Sequence, residues 1–312
     1  MTAGAPTSSG SPAPAEPPGA PAREGHLSLL AAVAGATLAV QSRINGALRV
    51  RVGDAVVAAL VSFTVGSLVL VAASLATGRW RAVVRLRHRT RWWWWLGGLS
   101  GALLVGSAAA AVPAVGVALT GVAIVAGATT GSLVVDRLGI SPRGHQPLTP
   151  PRLLGSALAV AGLVVGTVGQ GGEVRPLLLA LVGFAGFCTA LQQAANGHLQ
   201  RHSGEVLVAA SVSFLIGTSA LALAVAVTQP AIGEWPANPG LYVGGLGGAA
   251  YIALGAFTVA RIGVLRLTLG TVAGQLVGGV LLDAFVPTAA GLSAASVAAA
   301  LFTVAAVVVA NR

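Results

Sequence analysis

Gln41-Ser42-Arg43-Ile44-Asn45-Gly46-Ala47-Leu48 and Gln192-Gln193-Ala194-Ala195-Asn196-Gly197-His198-Leu199 are two versions of one element, Q-x-x-x-N-G-x-L, set 151 residues apart. The offset continues without a gap: Gly53-Asp54 matches Gly204-Glu205, and Val61-Ser62-Phe63 with Gly66 matches Val212-Ser213-Phe214 with Gly217. A second block repeats at an offset of 147. There Gly97-Gly98-Leu99 with Gly101-Ala102 matches Gly244-Gly245-Leu246 with Gly248-Ala249, and Gly116-Val117 matches Gly263-Val264. Ala126-Gly127, Gly131 and Asp136 likewise match Ala273-Gly274, Gly278 and Asp283. Ala/Val-rich sequence produces chance matches, but not matched Gln, Asn and acidic residues at nearly constant offsets. The chain is a tandem duplication.

Composition says where the duplicated unit lives. The 312 residues are 55% hydrophobic and 8% charged, with a mean hydropathy of +0.85. Soluble domains carry roughly 25% charged residues, so lipid must cover much of this surface. A bilayer core about 30 Å thick takes about 20 apolar residues per helix. The apolar runs predict ten such helices, near 27–47, 55–77, 92–112, 117–136, 152–170, 176–197, 206–228, 240–260, 264–286 and 291–310. Residues 1–26, rich in Pro, Ala, Ser and Gly, predict a disordered cytoplasmic tail and lack the pattern of a signal peptide. Residues 27–172 and 173–312 are the two expected five-helix repeats. Five is odd, so the second repeat enters from the opposite side and the repeats are inverted, an architecture of alternating-access carriers.

The net charge of +10 comes entirely from arginine. With the N-terminus cytoplasmic, only Arg43, Arg49, Arg51 and Arg175 fall outside, so the positive-inside rule puts both termini in the cytoplasm. A nucleic-acid partner is excluded, because no soluble basic face or binding module is present. Trp92–Trp95 reads as an interfacial anchor or as a cation–π cage. The Arg79–Arg91 cluster reads as a contact for anionic lipid headgroups, with membrane lipids as partners. The single cysteine, Cys188, excludes an intrachain disulfide and any multi-Cys metal site. The Gly-rich stretches are small-residue helix contacts and not phosphate loops, for no P-loop Lys accompanies them.

Three elements carry a family resemblance: Q-x-x-x-N-G-x-L in the first helix of each half, V-S-F-x-x-G in the second, and A-G-x-x-x-G-x-x-x-x-D in the fourth. With the five-plus-five plan they resemble the drug/metabolite transporter (DMT) superfamily, in its YdcZ-like branch, over residues 27–312. The resemblance implies an all-α integral membrane fold of the EamA/DMT type with two inverted five-helix repeats. It also implies a multi-pass transporter of the inner, or plasma, membrane. That branch often occurs as single five-helix halves that pair; here both are fused. It supplies no catalytic residues.

Ionisable residues inside spans are costly, which makes each a candidate site. The expected topology gathers Asn45, Asp54 and Asp283 at the outer mouth and Asn196, Glu205 and Asp136 at the inner mouth. Asp54 and Glu205 follow Gly at helix starts, where they serve either as caps or as gate residues. Asp136 either pairs with the adjacent Arg137 or acts at the mouth. Asp283 has no adjacent Arg, and partial burial makes it the candidate for coupling to protons. Gln41 and Asn45 share a helix face, as do Gln192 and Asn196; these amides bind a polar solute or bond a neighbouring helix. Gln275 is expected at a packed interface or a cavity. Arg43 binds an anion or snorkels to the outer headgroups.

The expected function is a secondary transporter of small molecules, exporting metabolites or drugs by alternating access; the alternative is a nonenzymatic membrane assembly or lipid-handling protein. No nucleophile–base or metal set appears, so no enzyme activity, cofactor or metal is expected. Expected partners are a small-molecule substrate, protons as coupling ion, and a second copy in a homodimer.

Overall fold

Apolar runs without water as a partner must satisfy their backbone internally, and helices do this within one segment. The computed structural model describes residues 21–86, 90–142, 144–168, 176–286 and 292–310, and among these every regular element is helical. α1 (Pro21–Val52) and α2 (Ala55–Ala76) lead through a 3-10 turn, Arg79–Ala82, into short α3 (Val83–Leu86). A second 3-10 turn, Trp92–Leu96, opens α4 (Gly97–Arg137); α5 (Pro150–Val168), α6 (Pro176–Ser203) and α7 (Val206–Thr228) follow. After a third 3-10 turn, Pro239–Leu241, come α8 (Gly244–Phe285) and α9 (Ala294–Ala310). Seven helical stretches among the described residues are long and apolar enough to cross a membrane.

Two sequence expectations meet the structure at their edges. The expected tail, 1–26, lies outside the described residues for 1–20, but its end is helical: α1 begins at Pro21. Proline suits a first helical position, where its missing N–H costs nothing. Arg87, Arg89, Arg143, Arg175, Arg312 and the junction at 172–173 lie outside the described residues.

α4 and α8 run 41 and 42 residues, close to twice a bilayer core at about 1.5 Å per residue. The sequence predicts two helices over each span, and in α4 two helical legs abut without a loop, meeting at Gly116, whose φ and ψ are not helical. The neighbours of α4 show that it doubles back. On α6, Gly97 and Gly101 meet Asn196 and Gln192 in descending order, whereas Gly127 and Gly131 meet Gly183 and Phe187 in ascending order. α4 therefore reverses, and it does so at Gly116 (φ 81°, ψ 167°), three residues after Pro113. α8 reverses likewise along α1: Gly244 and Gly248 meet Asn45 and Gln41, then Gly274 and Gly278 meet Ala32 and Ala36.

These contacts are reciprocal. The first helix of each repeat lodges in the hairpin of the other: α1 in α8, α6 in α4. At the centre α2 and α7 cross, with Phe63 stacked on its own counterpart Phe214, ring centroids 4.8 Å apart. Each ring fills the notch left by the other repeat's glycine, Gly217 for Phe63 and Gly66 for Phe214. Ser67 bonds its counterpart Thr218 at 2.8 Å, and further along Ser74 bonds Ser211 at 3.0 Å, so the two helices run antiparallel. The flanking cores are exchanged copies. Ala59, Phe63, Ala102 and Leu221 cluster on one side, and their equivalents Ala210, Phe214, Ala249 and Leu70 cluster on the other.

The tightest approaches are backbone to backbone. A Cβ on Gly127 would run into the Gly183 carbonyl, and one on Gly274 into the Ala32 carbonyl; at Gly106 the nearest atom would be 3.9 Å away. Gly127→Ala and Gly274→Ala should each lower stability by about 1–3 kcal/mol through overpacking, whereas Gly106→Ala should be neutral or stabilising. Thermal unfolding in detergent measures all three, and equal midpoints would contradict the assigned contacts.

Candidate functional site

The helix reversal at Gly116 leaves backbone groups without helical partners, and the chain satisfies them with side chains. Pro113 lacks the N–H that would bond one turn back, and the left-handed φ of Gly116 suits a residue without Cβ. The second leg of α4 then starts with free amides. Asp283, near the end of α8 and only 2% exposed, accepts from Val117 N at 2.9 Å through Oδ1 and from Ala118 N at 2.8 Å through Oδ2. Its carboxylate occupies the space a Cβ on Gly116 would need. Within the second leg, the Thr120 hydroxyl donates one turn back to the Gly116 carbonyl at 2.6 Å. Half-buried Arg43 on α1 is within electrostatic reach of Asp283. An acid on α8 and a broken helix in α4 thus meet at one point, which joins the two repeats, with the Arg43 cation of α1 in electrostatic range.

The counterpart acid has different company. Asp136, at the end of α4, pairs with Arg152 of α5, within its own repeat. Arg137, the neighbour the sequence offers as its partner, bonds His145 at 2.8 Å instead. The other matched acids also differ. Asp54 caps α2, accepting from Val56 N at 2.8 Å and Val57 N at 2.9 Å. Glu205 stands at the equivalent N-cap of α7 but makes no cap bond; its carboxylate is 3.5 Å from Nε of Arg79. Ser203 Oγ accepts from the Glu205 amide. Glu is one methylene longer than Asp and reaches past its own helix end.

The matched amides keep the symmetry. Gln41 Nε2 donates to Ser62 Oγ, and Gln192 Nε2 donates to Ser213 Oγ, both at 3.5 Å. Asn45 Nδ2 also donates to Ser62 Oγ, at 3.1 Å. Asn45 Oδ1 and Asn196 Oδ1 are both buried with no partner among the described residues, each against the first glycine of the other repeat's hairpin, Gly244 and Gly97. Gln275 lies between α8 and the second leg of α4, its Nε2 3.9 Å from the Cβ position of Gly121. The structure therefore brings Asp283 to the α4 break and the amides to the serines of V-S-F-x-x-G. Among the described residues it joins none of Asp54, Asp136, Glu205 and Asp283 to another.

One cluster escaped sequence reasoning. Trp94 is buried, with its ring stacked on His198 (centroids 4.7 Å apart) and edge-on to His202 at 4.6 Å. Of the four tryptophans expected as an interfacial anchor, Trp92 is 75% exposed and fits that reading, whereas Trp94 belongs to the protein interior. The overlooked signal is the one-turn spacing of His198 and His202 on α6.

Long apolar helices, duplicated and interlocked, with a broken helix clamped by a buried acid, define a polytopic membrane protein of the transporter class. The family described as "Putative inner membrane exporter, YdcZ" (DMT_YdcZ) matches residues 26–165 and again residues 177–309. The chain belongs to this family and carries two family units fused in one polypeptide, in a multi-pass inner-membrane protein. No curated protein matches it. A solved crystal structure shares its fold with a TM-score of 0.57 at 22% identity, over 93% of this chain and 96% of that one.

The partners rank the acids by stability. Asp283→Ala would strand two buried N–H groups, at about 1–3 kcal/mol each. Asp54→Ala would remove a cap worth about 1 kcal/mol, and Glu205→Ala a half-exposed ion pair worth about 0–1 kcal/mol. Detergent unfolding midpoints should fall in that order, and a Glu205→Ala loss as large as that of Asp283→Ala would contradict the assignment.

Proposed function

We propose that this chain is a secondary transporter exporting small molecules by alternating access. In this reading its ten membrane crossings form two inverted five-helix repeats, with both termini cytoplasmic. α1, α2, the two legs of α4, and α5 make the first repeat; α6, α7, the two legs of α8, and α9 make the second. The reciprocal packing and the antiparallel crossing of α2 on α7 support inversion, because a two-fold axis perpendicular to two helices relates them head to tail.

One observation carries the mechanism: acids that match in sequence have unequal partners. Asp283 is bonded across the repeats, to α4, whereas Asp136 is bonded within its own repeat, to Arg152. In the proposed cycle the two exchange roles. Release of Asp283 frees the α4 break and opens one face, while Asp136 leaves Arg152 and ties the opposite face. Protonation of Asp283 would cancel the charge that Arg43 and two amides stabilise, coupling the exchange to a proton. Gln41, Asn45, Gln192 and Asn196 would line the moving seams between each first helix and the opposing hairpin.

Proteoliposomes loaded with a panel of labelled solutes test the reading. Asp283→Asn should abolish pH-gradient-driven efflux but retain solute exchange; normal pH-driven efflux by this variant would remove Asp283 as the coupling residue. No solute moved by the wild-type protein would favour the assembly or lipid-handling alternative. Topology is checked in a Cys188→Ser background. A cysteine at exposed Glu234 should react with a membrane-impermeant thiol reagent on intact cells, and one at exposed Gln200 should not; the reverse pattern would invert the orientation.

A further inference from the structure

The turn between α2 and the tryptophan run takes no part in the interlocked core at Phe63. After Gly78, whose φ of 68° is left-handed, the chain folds into the Arg79–Ala82 turn and α3. With the end of α2 it leaves an open groove of about 530 Å³ lined by Leu75, Gly78, Trp80, Arg81, Val83 and Val84. Leu75 and Val84 expose 57% and 60% of their surface there, so the apolar wall continues onto the lipid-facing side of α2.

Charge decides what fits. No Asp or Glu occurs between Asp54 and Asp136, while six arginines fall between residues 79 and 91. Arg79 already has a counter-charge in Glu205, 3.5 Å away. Arg81 is exposed and forms no ion pair among the described residues. An apolar slot with an uncompensated guanidinium in its wall suits a molecule with hydrocarbon chains and an anionic head. A guanidinium holds a phosphate through two parallel hydrogen bonds, and the half-buried Trp80 indole belongs to the headgroup layer. A free phosphate would leave the apolar wall in water, and a zwitterionic lipid would bring its own cation to Arg81. We propose that this groove binds one anionic phospholipid, its phosphate on Arg81 and an acyl chain along Leu75, Val83 and Val84.

Native mass spectrometry of the full chain, released from micelles holding equal phosphatidylglycerol and phosphatidylcholine, tests the site independently of transport. The wild type should retain phosphatidylglycerol preferentially. Arg81→Gln should cut that retention roughly fivefold, the effect of one arginine near an anionic surface. Arg81→Lys should restore most of it, and Arg201→Gln, an exposed arginine at the same end of the bundle, should change nothing. Excess inorganic phosphate should not displace the lipid. Equal retention of the two lipids by the wild type, equal losses in Arg81→Gln and Arg201→Gln, or displacement by phosphate would each overturn the proposal.

Discussion

Helices in a bilayer gain little by hiding apolar side chains from one another, since lipid tails are as apolar as leucine. What holds them is close approach, and close approach needs small residues. Gly127 on Gly183 and Gly274 on Ala32 bring backbone against backbone, with no side chain between. These two contacts are the same contact made twice, once per repeat, and each joins one repeat to the other. Each of these contacts takes one partner from each repeat. The hairpin of each repeat receives the first helix of its twin.

The same constraint explains why the break in α4 is so fully serviced. In a membrane an unsatisfied backbone group costs several kcal/mol, and irregular backbone persists only where the protein supplies partners. Gly116 provides the conformation and Asp283 takes the amide side. A carboxylate at the start of a helical leg also faces the positive end of its dipole. Asp283 is therefore anchored by the requirements of the α4 backbone, and any ligand or proton acting on it acts on the helix break directly.

Much of this was legible in the residues. Constant offsets exposed the duplication, and the pairs they named, Ser62 with Ser213, Phe63 with Phe214, Gly127 with Gly274, recur as equivalent contacts. The two legs of α4 were legible as two apolar runs, but the absence of a loop between them at Gly116 was not, because hydropathy counts apolar residues and does not report how two helices join. The partners of the acids were less legible still. Sequence adjacency offered Arg137 to Asp136, but the chosen cation, Arg152, is sixteen residues away across a turn. Nothing local pointed Asp283 at Val117 and Ala118, which are backbone donors and carry no sequence signal. The Trp94–His198 stack was hidden for a related reason: a tryptophan run resembles an interfacial belt until one ring is seen to turn inward.

Duplication also bears on energy. In the alternating-access cycle proposed above, two repeats of similar sequence, each gripping the other in the same way, would give two arrangements of similar free energy when one repeat takes the pose of its twin. A ratio of 100 to 1 between such states corresponds to about 2.7 kcal/mol. A charge-assisted hydrogen bond contributes about 1.5–3 kcal/mol, and Asp283 makes two of them across the repeats. In that proposed cycle a single acid would be enough to choose between the two states. The glycine contacts cannot make that choice, because they occur on both sides of the pseudo-symmetry. In the proposed cycle the choice would fall to the positions where the repeats differ: Asp54 against Glu205 in side-chain length, Arg43 against Ala194 in charge, and Asp283 against Asp136 in partner.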